Sequence, residues 1–334
     1  MFNDLVNLHD FVVLAERVRR NGAVDVLFGL FGEEGKRVER SWRHTSSPPT
    51  NWWDIPDVQK RWNSLISGNS AVDSHRYISK KYFAKRRTLR GISLGCGSGE
   101  RELRWAKASR NLLIDAYDRS AERIAQAVTN AEKGKLSGRV KFHVADVHTL
   151  DLAASTYDVV FTEGSLHHFS PVNSILEKIS HWLKPGGLFI VNEYVGPSRF
   201  QWTKKQLEIV NSVLGTLPER FKTTYRSNAI KRKVYRPGRL SMWLSDPSEA
   251  AESSSIVSLL QSKFKIVEFK EYGGAILQLL FKDIAQNFRT EDAETKRLLQ
   301  YCFEAEDVSM ERKEIASDFI FAVCRKRGAA ARKK

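Results

Sequence analysis

Residues 92–118 read Ile-Ser-Leu-Gly-Cys-Gly-Ser-Gly-Glu-Arg-Glu-Leu and then, further on, Leu-Leu-Ile-Asp-Ala-Tyr-Asp. The first part is a buried strand that runs into a turn with glycines at 95, 97 and 99. A helix and a second strand follow, and that strand ends on an acid, Asp118. This order describes a nucleotide-binding βαβ unit. Glycine lets the backbone turn sharply and lets a ligand approach it closely, while the first N–H groups of the next helix face the ligand's polar end. An acid at the tip of the second strand is placed to accept hydrogen bonds from a ribose diol. A dinucleotide fingerprint needs its third glycine at position 100, where this chain has Glu100. The turn therefore points away from NAD.

The pattern continues down the chain. Residues 139–146, Arg-Val-Lys-Phe-His-Val-Ala-Asp, alternate like a strand and again end on an acid. Residues 157–163, Tyr-Asp-Val-Val-Phe-Thr-Glu, form an apolar strand that enters a polar loop, and Leu-Lys-Pro-Gly-Gly at 183–187 precedes a further strand at 188–191. These motifs, in this order over residues 89–195, resemble the class I S-adenosylmethionine-dependent methyltransferases. The resemblance implies an α/β fold: a doubly wound, mostly parallel seven-stranded sheet with an N-terminal helical segment and a helical lid insertion. It also implies a cofactor set. Gly95, Gly97 and Gly99, with Cys96 between them, would lie under the methionine part of S-adenosylmethionine. Asp118, with Arg119 beside it, would hold the ribose hydroxyls, and Asp146 with the backbone of Val147 would hold the adenine amino group. Glu163, ending the strand 157–163, belongs to the same set. Taken alone, Asp146 is equally a solvated loop acid.

The chain has 334 residues, more than a bare core of this kind requires, and 42% of them are apolar, enough for a sizeable interior. Four divisions are expected: a helical cap at 1–88, the cofactor-binding domain at 89–327, a lid insertion within it at 197–262, and a basic tail at 328–334. In the cap, residues 3–20 carry a helical period, 26–31 are a short apolar stretch, 46–49 (Ser-Ser-Pro-Pro) a linker, and 57–87 helical with Trp62, Ile66, Tyr77 and Tyr82. Those aromatics either line a substrate pocket or pack the cap onto the core. In the lid, a helix is expected at 203–214 and another beginning at Asp246-Pro247-Ser248-Glu249, with an acid at N-cap, proline at N1 and glutamate at N3. A strand at 264–269, helices at 276–288 and 292–303, and a strand at 319–324 complete the sheet with an antiparallel pair.

No apolar run approaches the roughly 20 residues of a membrane helix, and Asp4, Asp10 and Glu16 do not suit a signal peptide. A cytoplasmic protein is expected. Cys96, Cys302 and Cys324 make neither a paired framework nor a ligand-spaced cluster, which fits a reducing compartment and argues against structural zinc. The net charge is +15, with basic clusters at 80–90, 231–239 and 325–334. These suit nucleic acid, an anionic membrane surface or a phosphorylated substrate as partner, and equally a solubilising surface.

Ligands of a doubly wound sheet bind beyond the carboxyl ends of its strands, so the loops 162–171 and 192–202 are where chemistry is expected. The first contains His167 and His168. Methyl transfer is an in-line displacement on a sulfonium, helped most by alignment. A hydroxyl acceptor also needs a base, for which imidazole is suited near neutral pH. The run Ser-Leu-His-His-Phe resembles the loop of small-molecule and sugar O-methyltransferases in which a histidine is that base, and His167 is the first choice. The alternative is a histidine that packs against the cofactor without exchanging a proton. In the second loop Glu193 and Tyr194 are candidates to orient the acceptor or assist the histidine, and Arg199 to bind an anion. Glu193 pairing with Arg226 or Arg239 is an equal alternative.

Absences narrow the acceptor. Thr162, Glu163, Gly164 and Ser165 stand where nucleobase amino methylation typically uses an Asn/Asp-Pro-Pro-aromatic run, and no cysteine follows a proline, as base-carbon methylation requires. The active loops carry no paired acids at metal-ligand spacing. The expectation is a metal-free methyltransferase whose acceptor is a hydroxyl, or else an amine or carbon, of a small molecule, glycan or lipid-linked compound. An RNA methyltransferase and a non-catalytic S-adenosylmethionine-binding protein are the rival readings.

Overall fold

A computed structural model describes residues 50–327, apart from 226, 240, 241, 243–245 and 247. The expected elements at 3–20, 26–31 and 46–49 and the tail 328–334 lie outside the described residues. The principal elements, in chain order, begin with α1 (Pro56–Ser67), α2 (Ser74–Ile78), β1 (Leu89–Leu94), α3 (Glu100–Ala108), β2 (Leu112–Asp118), α4 (Ala121–Lys133) and β3 (Val140–Val144). They continue with β4 (Tyr157–Glu163), α5 (Val172–Trp182), β5 (Leu183–Tyr194), α6 (Lys204–Thr216), α7 (Ile256–Lys263), β6 (Phe264–Glu271), α8 (Leu277–Phe281), α9 (Ala293–Glu311) and β7 (Phe319–Lys326).

The strands form one seven-stranded sheet in the order β3-β2-β1-β4-β5-β7-β6. β1 to β5 are parallel, and β7 is antiparallel to both β5 and β6. The fold is thus the doubly wound class I arrangement with its terminal antiparallel pair. Strands covered on both faces should be almost wholly apolar. Ile92, Leu94, Val159, Val160, Phe161, Phe189, Ile190 and Val191 are accordingly buried. Between β1 and β4 the strand order reverses, which opens a crevice at their carboxyl ends.

Local chemistry places the helices. Pro56 opens α1 and Gly68, at φ +81°, closes it, while Asp73 and Ser120 cap α2 and α4 by accepting from Arg76 N and Arg123 N. Thr203 and Gln206 form a reciprocal capping box on α6. Of the aromatics at 52–82, Trp52 packs into the core while Trp53 is exposed. Trp52 is 1% exposed, with ring centroids 4.6 Å from Trp62 and 5.0 Å from Phe319.

Three expectations are corrected. No helix starts at Asp246: its carboxylate accepts from Ser248 N at 2.9 Å and from Ser248 Oγ at 2.6 Å, a local turn bond, residues 248–250 are a turn, and α7 begins only at Ile256. The expected helix 276–288 divides into α8 and a short 3-10 turn, Ala285–Phe288, while α9 runs well beyond 303. β5 begins at Leu183, because Leu183 already pairs with Tyr157 and the following Lys-Pro-Gly-Gly loops out before Leu188 pairs with Val159.

β6 connects to α8 through Gly273 and Gly274, at φ +88° and +86°. A Cβ on Gly274 would lie 2.4 Å from Phe319 and 2.7 Å from Trp52, so only glycine allows this approach. Glu306, fully buried on α9, accepts from Ile276 N at 2.9 Å and Leu277 N at 3.1 Å, with Arg61 Nη2 at 3.7 Å. Its carboxylate satisfies amides at the start of α8. Glu306→Ala leaves those donors buried without it and should destabilise the chain by roughly 2–4 kcal/mol in urea unfolding; an unchanged midpoint would mean that Glu306 contributes nothing net.

Candidate active site

The glycine turn is a preformed shape whose own amides are engaged within the protein. Gly95 N and Cys96 N both donate to Tyr117 O, at 2.8 and 3.1 Å, and Gly99 N donates to Cys96 O at 3.0 Å. Gly97 N donates to Asp118 Oδ2 at 2.9 Å, and Ser120 N to Asp118 Oδ1 at 2.9 Å. Asp118 is therefore held by one amide on each oxygen, and each oxygen keeps further acceptor capacity. Gly95, Gly97 and Gly99 all have positive φ. A Cβ on Gly95 would lie 2.7 Å from Ser165 Cβ, and one on Gly97 3.0 Å from Arg123 Cζ. The turn after β1 and the loop after β4 thus meet, and Ser165 Oγ donates to Leu94 O at 2.6 Å to tie them. Burial, with nearby Glu102 and Asp118, holds the Cys96 thiol well above the usual thiol range, so it remains protonated.

Along the same edge of the sheet, Asp146 follows β3 and accepts from His148 N at 2.8 Å through Oδ1. Val147 is buried, and Arg119, beside Asp118, is exposed. Glu163 differs from these. It is buried, accepts from the Trp105 indole, has Asn192 Nδ2 at 3.5 Å, and lies 3.4 Å from His75 Nε2 in ion-pair rather than hydrogen-bond geometry. Burial alone would raise its pKa, but the charge and contact of His75, with Arg101 and Trp105, bring it down to about 2. Burial likewise opposes the His75 charge, yet Glu163 and Asp73 raise it to about 9. The carboxylate that the sequence placed in the cofactor set is engaged in joining α2 to β4.

The histidine loop forms a short 3-10 turn, Leu166–His168, beyond β4. Beneath it sits Glu193, 1% exposed, at the end of β5. One carboxylate oxygen accepts from Ser165 N at 2.8 Å and Leu166 N at 2.6 Å, and the other lies 2.7 Å from His167 Nδ1. Of the arginines considered as partners for Glu193, Arg226 lies outside the described residues. Burial would depress the His167 pKa, but the hydrogen bond and charge of Glu193, with the charge of Glu249, raise it above the ordinary imidazole value. His168, half-buried, is held well below that value by desolvation and by the charges of His167, Arg123 and Arg101. Tyr194 is also buried, and its hydroxyl donates to Pro197 O at 3.0 Å.

Residues the sequence did not single out complete the site. Glu252 accepts from Ser170 Oγ at 2.6 Å and Val172 N at 3.0 Å, fastening the 248–255 segment to the start of α5. Ser253 Oγ donates to Gly196 O at 2.9 Å, and Arg199 N donates to Ala250 O at 2.7 Å. This seats Ser248 Oγ 3.4 Å from His168 Nδ1 and Glu249 Oε1 3.6 Å from His167 Nε2. Burial raises the Glu249 carboxyl to about 7 despite the opposing charge of His167.

A family model described as a methyltransferase domain matches residues 85–268, more than half of the chain. The chain belongs to the class I S-adenosylmethionine-dependent methyltransferases. Among curated relatives, it is 28% identical over 104 residues to the 27-O-demethylrifamycin SV methyltransferase of Amycolatopsis mediterranei, covering 31% of this chain and 38% of that protein. It is 25% identical over 133 residues to phosphoethanolamine N-methyltransferase 1 of Triticum aestivum, covering 39% of this chain and 26% of that one. The chain therefore spans well under half the length of both. Among solved structures, phosphoethanolamine N-methyltransferase 2 of Haemonchus contortus, in complex with phosphomonomethylethanolamine and S-adenosylhomocysteine, superposes with a TM-score of 0.49 at 17% identity, covering 87% of this chain and 60% of that one. Among the described residues of this methyltransferase no helix is long and apolar enough to cross a membrane.

If Glu163 is structural, Glu163→Ala destabilises the enzyme by roughly 3 kcal/mol, the low end for breaking a buried pair because His75 can shed its proton. Affinity for S-adenosylmethionine, measured by calorimetry at a temperature where the variant is folded, should stay within about threefold; a tenfold loss would return Glu163 to the cofactor set.

Proposed function

We propose that this methyltransferase moves a methyl group from S-adenosylmethionine to a hydroxyl of a small molecule, with His167 as the base. The observation that carries the reading is the 2.7 Å bond between His167 Nδ1 and Glu193. A carboxylate accepting at Nδ1 keeps the proton there and leaves the Nε2 lone pair to accept another. The names of the two curated relatives, a rifamycin and a phosphoethanolamine methyltransferase, favour a small acceptor over a macromolecule.

The residues around the turn fit the donor. Three glycines at positive φ let the turn pack directly against Ser165, Arg123 and Phe142, and Asp118 presents a carboxylate already oriented by Gly97 N and Ser120 N. In the proposed site Gly95, Cys96, Gly97 and Gly99 bound the methionine part, Asp118 and Arg119 face the ribose, and Asp146 with Val147 faces the adenine. S-adenosylmethionine, when bound, would supply the methyl on a sulfonium, whose leaving group is a neutral thioether that needs no acid catalyst. The chain's own work is then to place the acceptor oxygen in line, exclude water and take one proton at His167 Nε2. Glu193 stabilises the resulting imidazolium. The expected division, with a cap at 1–88, a core at 89–327, a lid at 197–262 and a basic tail at 328–334, is part of this reading; the anchoring of the 248–255 segment over the histidines supports the lid.

Asp118→Ala should weaken S-adenosylmethionine binding by about tenfold to a hundredfold, since one or two hydrogen bonds to a charged acceptor are lost; unchanged affinity in calorimetry would overturn the cofactor assignment. The base is tested on whichever member of a panel of hydroxylated acceptors gains label from methyl-labelled donor. His167 accepts a proton only when neutral, and its pKa is raised, so kcat/KM should climb with pH through a value above about 6.5 and then level off. Glu193→Gln removes the negative charge and should move that inflection to lower pH. His167→Ala should lower kcat by roughly 10²–10⁴ with far less effect on donor binding. A flat pH profile together with an active His167→Ala would exclude the base role.

A further inference from the structure

Three groups from two distant segments converge over the histidine turn. A ring nitrogen of His167, a ring nitrogen of His168 and a carboxylate oxygen of Glu249 all lie within 4.8 Å of one another. His167 Nε2 lies 3.6 Å from Glu249 Oε1, and the two imidazole centroids are 4.1 Å apart. Donors bound at about 2.0–2.2 Å to a tetrahedral ion sit roughly 3.3 Å from one another. The His167 to Glu249 spacing is near that value, and a small inward movement of the Glu249 turn or the His168 ring closes the rest.

A second observation bears on the same trio. Ligating imidazoles are usually fixed from behind by a carboxylate on the other ring nitrogen, which sets the tautomer and aims the lone pair. Glu193, buried and anchored by Ser165 N and Leu166 N, does this to His167 Nδ1 at 2.7 Å. Glu252 anchors the opposite side by holding the turn that carries Glu249 against α5. The donors are therefore positioned from both sides by groups that do not themselves ligate.

We propose that His167, His168 and Glu249 form a binding site for one divalent transition-metal ion. Two imidazoles and one carboxylate suit Zn²⁺, Co²⁺ or Ni²⁺ rather than Mg²⁺ or Ca²⁺, which prefer oxygen ligands throughout. The metal-free expectation rested on spacing within the two active loops, and Glu249 lies outside both. One consequence rests on the proposed base: an ion on His167 Nε2 occupies the lone pair that would accept the acceptor's proton, so loading the site with metal inhibits methyl transfer.

The site itself is tested without reference to activity. Co²⁺ titrated into the metal-stripped full chain should bind one ion per chain and develop the intense visible bands of a four-coordinate ion. His168→Gln and Glu249→Gln should each weaken this at least tenfold, whereas His181→Gln, a change to an exposed histidine on α5, should not. S-adenosylmethionine binding confirms that each variant is folded. No stoichiometric Co²⁺ binding, or equal binding by all variants, overturns the site. The inhibitory consequence is read separately: Zn²⁺ should suppress methyl transfer by the stripped wild-type enzyme, and Glu249→Gln should require at least tenfold more Zn²⁺. If Co²⁺ binds as expected but saturating Zn²⁺ leaves turnover unchanged, the metal site stands and the base reading fails; if Co²⁺ does not bind, the site fails and the base reading is unaffected.

Discussion

The carboxylate of Glu193 is the point on which the geometry of the histidine loop depends. Taking a carboxylate out of water costs several kcal/mol unless hydrogen bonds replace its hydration. Here two successive amides and one imidazole do so, at 2.6 to 2.8 Å. Those three donors all belong to the loop leaving β4, and Glu193 lies at the end of β5, the adjacent parallel strand. Parallel pairing brings the two strand exits side by side, and the buried charge then fixes the loop's backbone and the orientation of its first histidine together. The loop is rigid because of its neighbour's side chain rather than because of its own sequence.

Much of the frame was legible in the chain because it is written locally. Strand 157–163 was delimited from its own run of apolar residues, and the glycines at 95, 97 and 99 marked a sharp turn that the structure builds with all three at positive φ. Asp118 announced itself by following a buried strand. What local reading misjudged is equally physical. Asp246-Pro247-Ser248-Glu249 satisfies the rules for a helix start, yet Asp246 bonds two residues on rather than three, and the chain turns. The helical signal was outcompeted by a turn that tertiary contacts from Glu252 and Arg199 hold in place.

The residues that the sequence missed share one property: their partners are far away in the chain. Glu249 lies some 80 residues from the histidines it faces, and His75 is further still from Glu163. No spacing rule joins such pairs, and only the winding of the sheet does. Glu163 sits at a strand exit where cofactor contacts are expected, and His75 of α2 also approaches its buried carboxylate.

The adjacent histidines illustrate how a fold separates two identical side chains. Both rings are largely removed from water, which by itself disfavours the charged form of each. His167 has a carboxylate behind it and another in front, and these outweigh burial. His168 has no such compensation among the influences that set its pKa; His167, Arg123 and Arg101 all add to the effect of burial. One imidazole is therefore biased toward gaining a proton and the other toward remaining neutral, although the two centroids are only 4.1 Å apart. A pair of titratable groups driven apart by their surroundings is the usual way a site distinguishes a proton carrier from a neutral contact. In the proposed reaction that makes His167 the base and His168 a neutral wall of the acceptor pocket. It also makes both rings good donors at high pH, when His167 too is neutral, so the competition between proton and metal ion at His167 Nε2 should tilt toward the metal as pH rises.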